Sequence, residues 1–120
     1  MYNGIITGSG NGIGYATTKK FLENGYKVFA ITKTNSVKLN KLLKKYKNSL
    51  KVYYIDLNEI AETRKIISSI IKKNNINFLV NNAGIRSRYS IENLSDDELI
   101  KEKKNNFFSP LFITKEYLKN

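Results

Sequence analysis

Three short segments of this chain have residue types and spacings suited to chemistry. The first is Thr7-Gly8-Ser9-Gly10-Asn11-Gly12-Ile13-Gly14. Without side chains at Gly8 and Gly12 the backbone can approach a pyrophosphate closely, and free N–H groups at a helix start, with the positive end of the helix dipole, meet its charge. Gly14 lets that helix pack tightly on the element before it. The second segment is Asn81-Asn82-Ala83-Gly84, which joins two carboxamides to two residues of minimal bulk. The third is Asn106-Phe107-Phe108-Ser109-Pro110-Leu111. Pro110 has no N–H to donate to the carbonyl four residues earlier, which belongs to Asn106, so that carbonyl is released from a helix ladder and can hold a water.

What the chain lacks narrows the chemistry further. It contains no histidine and no cysteine. Thiolate metal sites, zinc chemistry and Ser-His or Cys-His catalysis are excluded on that ground, and no metal is expected. The formal net charge of +11 raises the question of nucleic acid. The lysines, however, are spread along the chain with many asparagines and isoleucines, and no recognised motif or clustered aromatic platform accompanies them. A solvated basic surface is the expected reading, with no nucleic-acid partner. No leader pattern is visible at the start and no run approaches the ~18 apolar residues of a membrane span, so a soluble cytoplasmic protein is expected.

The chemistry-bearing segments fall at the joints of a regular pattern. Tyr2–Thr7 reads as a strand ending at the glycine cluster, followed by a helix over Ile13–Asn24 whose apolar positions Ile13, Ala16, Phe21 and Leu22 fall at roughly helical spacing. Gly25 stops the helix. Lys27–Thr32 is a nearly continuous apolar run, as in a parallel strand buried on both faces. A second helix begins near Ser36, with Val37, Leu39, Leu42 and Leu43 toward the sheet. A third strand covers 51–56, a third helix 59–74 with an isoleucine stripe, and a fourth strand 76–80. Ser95-Asp96-Asp97-Glu98 matches a capping box that opens a helix running to the end of the chain. Strands alternating with helices at this spacing imply one α/β domain over 1–120, a doubly wound parallel sheet with right-handed crossovers.

The glycine spacing Thr-Gly-x-x-x-Gly-x-Gly differs from the Gly-x-Gly-x-x-Gly of many dinucleotide enzymes and resembles that of the short-chain dehydrogenase/reductase family. Asn81-Asn82-Ala83-Gly84 after the fourth strand resembles a second motif of the same family. The resemblance implies a Rossmann-like sheet of strand order 3-2-1-4, truncated here before a fifth strand. That leaves the fourth strand as an apolar edge. It also implies a nicotinamide cofactor held by Gly8, Ser9, Gly10, Asn11, Gly12, Ile13 and Gly14 at the pyrophosphate, by Asp56 and Leu57 at the adenine, and by Asn81, Asn82, Ala83 and Gly84 beside the nicotinamide half. Two other roles remain open: Asp56 as a cap for the third helix, and Asn82 as a brace between strands. NADP(H) is favoured over NAD(H), because Thr32 stands where NAD-preferring relatives carry an acidic residue and Lys33 follows it. Asn11 weighs slightly against this, since many NADP-preferring relatives are basic there.

Catalysis in the family uses a serine and a Tyr-x-x-x-Lys pair, with an asparagine holding a water in the proton relay. The resemblance assigns that asparagine to Asn106; Asn105 is the alternative, one position out of register with Pro110. The serine, tyrosine and lysine are expected beyond Asn120, so the 120 residues alone are expected to be inactive. Tyr15-Ala16-Thr17-Thr18-Lys19 has the Tyr-x-x-x-Lys spacing but lies on the first helix, and is read as a coincidence. The implied function is NADP(H)-dependent hydride transfer to or from a small or acyl-linked carbonyl or alcohol, a 3-oxoacyl thioester being the family's common case. A homodimer or homotetramer is expected for the whole protein. Arg86 and Arg88, in the loop after Gly84, are read as solvated. The alternative function is a non-catalytic nucleotide-binding or scaffolding protein.

Overall fold

The computed structural model describes residues 1–85 and 89–119. Its elements are β1 (Asn3–Thr7), α1 (Gly12–Glu23), β2 (Lys27–Thr32), α2 (Val37–Lys45), β3 (Leu50–Tyr54), α3 (Ile60–Lys73), β4 (Phe78–Val80), α4 (Asp96–Lys103) and α5 (Ser109–Leu118). A π-helical turn, Lys104–Phe108, joins the last two. The sheet is entirely parallel with order β3-β2-β1-β4, as expected, and the register runs Ile5↔Phe29 and Ile5↔Leu79 across the centre.

Both faces of the sheet are covered, and the period-two alternation of strand side chains sorts the core accordingly. Ile5, Phe29 and Ile31 point into a cluster with Ile67, Ile70 and Ile113 from α3 and α5. Ile6, Val28 and Ala30 point into a second cluster with Leu22, Leu39 and Leu42 from α1 and α2. Fully burying side chains of this size contributes roughly 1.5–3 kcal/mol each, which is why β1 and β2 are the rigid centre from which the loops at their carboxyl ends project.

Two helices present different faces from those expected. In α1 the buried stripe is Gly14, Thr18 and Leu22, while Ile13 and Ala16 are exposed. The helix lies so close to the sheet that small residues are selected beneath it. The one buried hydroxyl there is satisfied, since Thr18 Oγ1 donates to the Gly14 carbonyl at 2.8 Å. In α2, Leu39 and Leu42 are buried as expected, but Val37 is 70% exposed in the first turn. Strand β3 ends at Tyr54, two residues before Asp56, although the Ile55 N–H still donates to the Thr32 carbonyl at 3.0 Å.

Helix α4 is capped by Ser95, whose hydroxyl accepts from the Glu98 N–H at 3.2 Å. Helix α5 is tied to α3 by Arg64, which lies 3.9 Å from Glu116 and 4.4 Å above the Phe112 ring. Lys119 donates to the same carboxylate at 2.9 Å, and this bond is the main reason that Glu116 is held below the usual carboxylate range. A carboxylate depressed in the folded state contributes stability that is complete above its unfolded value and is lost as pH falls through the folded one. Glu116→Gln should therefore flatten the acid limb of a Tm-against-pH curve below about pH 4.5, the ordinary value for this group. An acid limb superimposable on that of the parent would contradict this.

Candidate functional site

The loops that follow the carboxyl ends of all four strands converge on one cavity of about 540 Å³. It straddles β1 and β4, where the strand order reverses, which is the place an open α/β sheet offers to a ligand. Its walls include Gly8, Gly10 and Asn11 from the glycine loop, Thr32, Lys33 and Val37 from the β2–α2 connection, Ile55 and Leu57 after β3, Ala83, Gly84 and Ile85 after β4, and Asn105 from the π turn.

The glycine loop is built from contacts reaching across the sequence. The Gly8 carbonyl accepts from the Asn82 carboxamide at 3.3 Å. Gly14 packs directly on this pair, and a Cβ added there would collide with the Gly8 carbonyl oxygen and the Asn82 Nδ2. At Gly12 the constraint is different. Its φ is +53°, and a Cβ there would meet nothing within 4 Å, so the loop opens onto free space at the start of α1. Ile13 beside it is 78% exposed. Ser9 is fully buried and its hydroxyl donates to the Ile6 carbonyl at 2.8 Å, so its side chain holds the turn and does not line the cavity.

Thr7 organises the crossing between β1 and β4. Its Oγ1 is buried and accepts from the N–H groups of both Asn82 and Ala83, each at 3.0 Å. Ser36 performs a similar task for the opposite wall. Its hydroxyl donates to the Gly10 carbonyl at 2.5 Å and accepts from the Leu39 N–H at 3.2 Å, so one side chain both caps α2 and fixes the glycine loop. The N-cap was legible in the sequence, but no local signal reported the bond to Gly10, 26 residues away.

Asp56 lies beside the cavity without lining it. Its Oδ1 accepts from the Asn58 N–H at 3.0 Å, and its other oxygen stands 3.5 Å from the Lys33 ammonium. Asp56 thus closes an Asx turn ahead of α3 and is not the cap of that helix, whose N-cap residue is Glu59 with no side-chain cap bond. Lys33 is half exposed and lines the cavity, and an ion pair so placed is worth only about 0–1 kcal/mol, which leaves the ammonium available to another anion. Leu57 is buried against the cavity wall and its carbonyl accepts from the Ser109 hydroxyl. The Asn81 carboxamide turns away from the cavity and donates to Thr114 Oγ1 at 2.9 Å, joining the β4 loop to α5.

Asn106 makes a two-pronged clamp. Its Oδ1 accepts from the Ile85 N–H at 2.7 Å and its Nδ2 donates to the Ile85 carbonyl at 2.6 Å. The π turn around it returns to the α-helix at Ser109, whose N–H donates to the Lys104 carbonyl five residues back, and Pro110 follows immediately. Such a turn widens the helix by one residue and is a recurrent device at functional sites. Asn105, the neighbour, lines the cavity and is 6% exposed. Tyr15 packs against the α1–α2 side of the core with Lys38 Nζ 5.8 Å from its ring, Lys19 faces Glu23 at 3.9 Å, and neither Tyr15 nor Lys19 lines the cavity. Arg86 and Arg88 lie outside the described residues. Among the described residues no cluster of carboxylates capable of holding a metal is present, and no helix is long and apolar enough to cross a membrane.

The residues fit a phosphorylated nucleotide: glycines leave the space next to free N–H groups, a cation stands at one wall, and apolar side chains form another. Comparison with known proteins agrees with this geometry. A benzil reductase ((S)-benzoin forming) of Bacillus cereus is 31% identical over 123 residues, covering 97% of this chain and 49% of the relative. An NADPH-dependent 3-dehydrocapnine reductase of Ornithobacterium rhinotracheale is 30% identical over 122 residues, covering 98% of this chain and 42% of the relative. The solved structure of a 4-hydroxyisoleucine dehydrogenase complexed with NADH superimposes with a TM-score of 0.86 at 30% identity, covering 99% of this chain and 49% of that one. The chain thus spans about half the length of the curated relatives it matches. The family model for short chain dehydrogenases matches residues 3–120, and together with the sheet order and the glycine-lined cavity this establishes that the chain belongs to the short-chain dehydrogenase family of oxidoreductases.

Proposed function

We propose that this chain forms the NADP(H)-binding part of a reductase or dehydrogenase acting on a carbonyl or alcohol. The observation that carries the reading is the single cavity in which the glycine loop, Lys33, Leu57 and the Ala83-Gly84 turn meet at the carboxyl ends of the strands. The nicotinamide group, when bound, supplies or takes up the hydride. The residues of this chain bind and orient it. Gly10, Gly12 and the start of α1 receive the pyrophosphate, and Gly8 and Ser9 shape the turn that brings them there. Thr32 and Lys33 receive the ribose end, Leu57 the base, and Ala83 and Gly84 the nicotinamide half. Asn106 fixes Ile85 through its carboxamide, and its carbonyl, to which Pro110 donates nothing, holds a water in the proton path. The names of the two curated relatives, both reductases, support carbonyl reduction.

The preference for NADP(H) rests on charge at the end of β2. A cation and a phosphate ~4 Å apart gain about 1 kcal/mol in water and up to about 4 kcal/mol at an effective dielectric constant of 20. Replacing Thr32 with Asp and Lys33 with Ala removes the attraction and adds a repulsion. The ratio of NADPH to NADH affinity should then fall by at least about tenfold and invert, as measured by titrating the protein with each nucleotide. An unchanged ratio would contradict the NADP assignment, and failure of both nucleotides to bind the parent protein would contradict the cofactor reading itself.

A further inference from the structure

We infer that Asn105 is a ligand-binding residue whose carboxamide hydrogen-bonds the nucleoside part of the bound dinucleotide, an inference that rests on the cofactor reading above. Asn105 is 6% exposed, lines the cavity, and has no hydrogen-bond partner for its side chain among the described residues. A carboxamide carries one acceptor oxygen and two N–H donors, and those of Asn105 are not sealed in the interior but open to the cavity, where a ligand can take them.

The position of the side chain says what that occupant is. Its sequence neighbour Asn106 clamps Ile85, and Ser109, one turn further on, donates to the Leu57 carbonyl. Asn105 is therefore carried on a helix anchored on one side to the apolar wall after β3 and on the other to the turn after β4. Ile55 and Leu57 provide apolar surface for the faces of a planar base, and the cavity wall there offers the polar edge a buried amide. A purine nucleoside presents both features, apolar ring faces and edges or ribose hydroxyls that donate and accept. Asp56 does not line the cavity and Lys33 is half exposed, so neither is a buried polar partner for that edge.

Asn105→Leu, which keeps the branching of the side chain but is larger, separates this role from a structural one because nucleotide affinity and nucleotide-free stability are read independently. With ADP as the probe in isothermal titration, the dissociation constant should rise about tenfold, the loss of one or two buried hydrogen bonds. In the absence of nucleotide the Tm should not fall, because the carboxamide opens onto the cavity and makes no bond to the described residues. Asn105→Ala provides the second variant and should weaken ADP comparably without the added methyl groups. ADP binding that stays within twofold of the parent in both variants overturns the assignment, as does a drop in the Tm of Asn105→Leu together with unchanged affinity. If ADP does not bind the parent protein, the cofactor reading fails and this inference fails with it.

Discussion

Gly14→Ala should abolish dinucleotide binding and lower stability by on the order of 3 kcal/mol or more. A single methyl group is enough because of what it would strike. Its neighbours are the Gly8 carbonyl and the Asn82 carboxamide, the pair that fixes the glycine loop against β4, and one of them is backbone. Overpacking a well-filled site costs about 1–3 kcal/mol even when side chains can move aside. Here relief requires either lifting α1 from the sheet, which separates Leu22 and Thr18 from the core, or moving the loop that must present its N–H groups to the phosphates. Gly12→Ala is the matched control for stability only, since Gly12 is also proposed to receive the pyrophosphate. It meets no atoms, and the left-handed φ of +53° costs an alanine about 1–2 kcal/mol. Urea unfolding and NADPH titration of the two variants measure both effects, and a Gly14→Ala protein with parental stability and affinity would refute the close packing described above.

Thr7→Val should lower stability by about 3 kcal/mol with almost no change in side-chain shape. The methyl that replaces the hydroxyl leaves the partly buried N–H groups of Asn82 and Ala83 without their acceptor, and each loss falls toward the lower end of the about 1–3 kcal/mol that an abandoned buried donor costs. The same two residues begin the turn beside the cavity, so nucleotide affinity should fall as well. Thr7→Ser retains the oxygen and should recover most of both losses. The urea midpoints of the three proteins decide the matter, and equal behaviour of Val and Ser would show that the hydroxyl bonds contribute little.

Much of the fold was legible because its signals are local. The strand and helix order and the parallel arrangement followed from apolar periodicity, and the order β3-β2-β1-β4 from the family resemblance that two motifs at strand ends carry. The errors have a common cause. Apolarity alone points Ile13, Ala16 and Val37 toward the core, yet where a helix lies close to the sheet it is glycine and threonine that face inward, and a first-turn residue such as Val37 faces the cavity. Hydrophobicity reports transfer from water, not available volume.

The asparagines show the same limit. Spacing to Pro110 singled out Asn106, and the structure places its carboxamide on the Ile85 peptide. Asn105 lines the cavity because the π turn shifts the helical phase by one residue at this point. Thr7 and Ser36 mark a strand end and a helix cap in the sequence, but their partners at Ala83 and Gly10 lie 76 and 26 residues away.

The sequence by itself determined the parallel α/β architecture, the glycine-lined turn at the end of β1 and the family, because turn conformation, helix initiation and strand burial are set by residues near one another in the chain. The tertiary structure alone decided that Thr7 joins β1 to β4, that Lys33 faces Asp56 and that Asn105 opens onto the cavity. Those relations depend on which distant backbone and side-chain groups the packed sheet brings within hydrogen-bonding distance, and that is fixed only when the helices settle on its two faces.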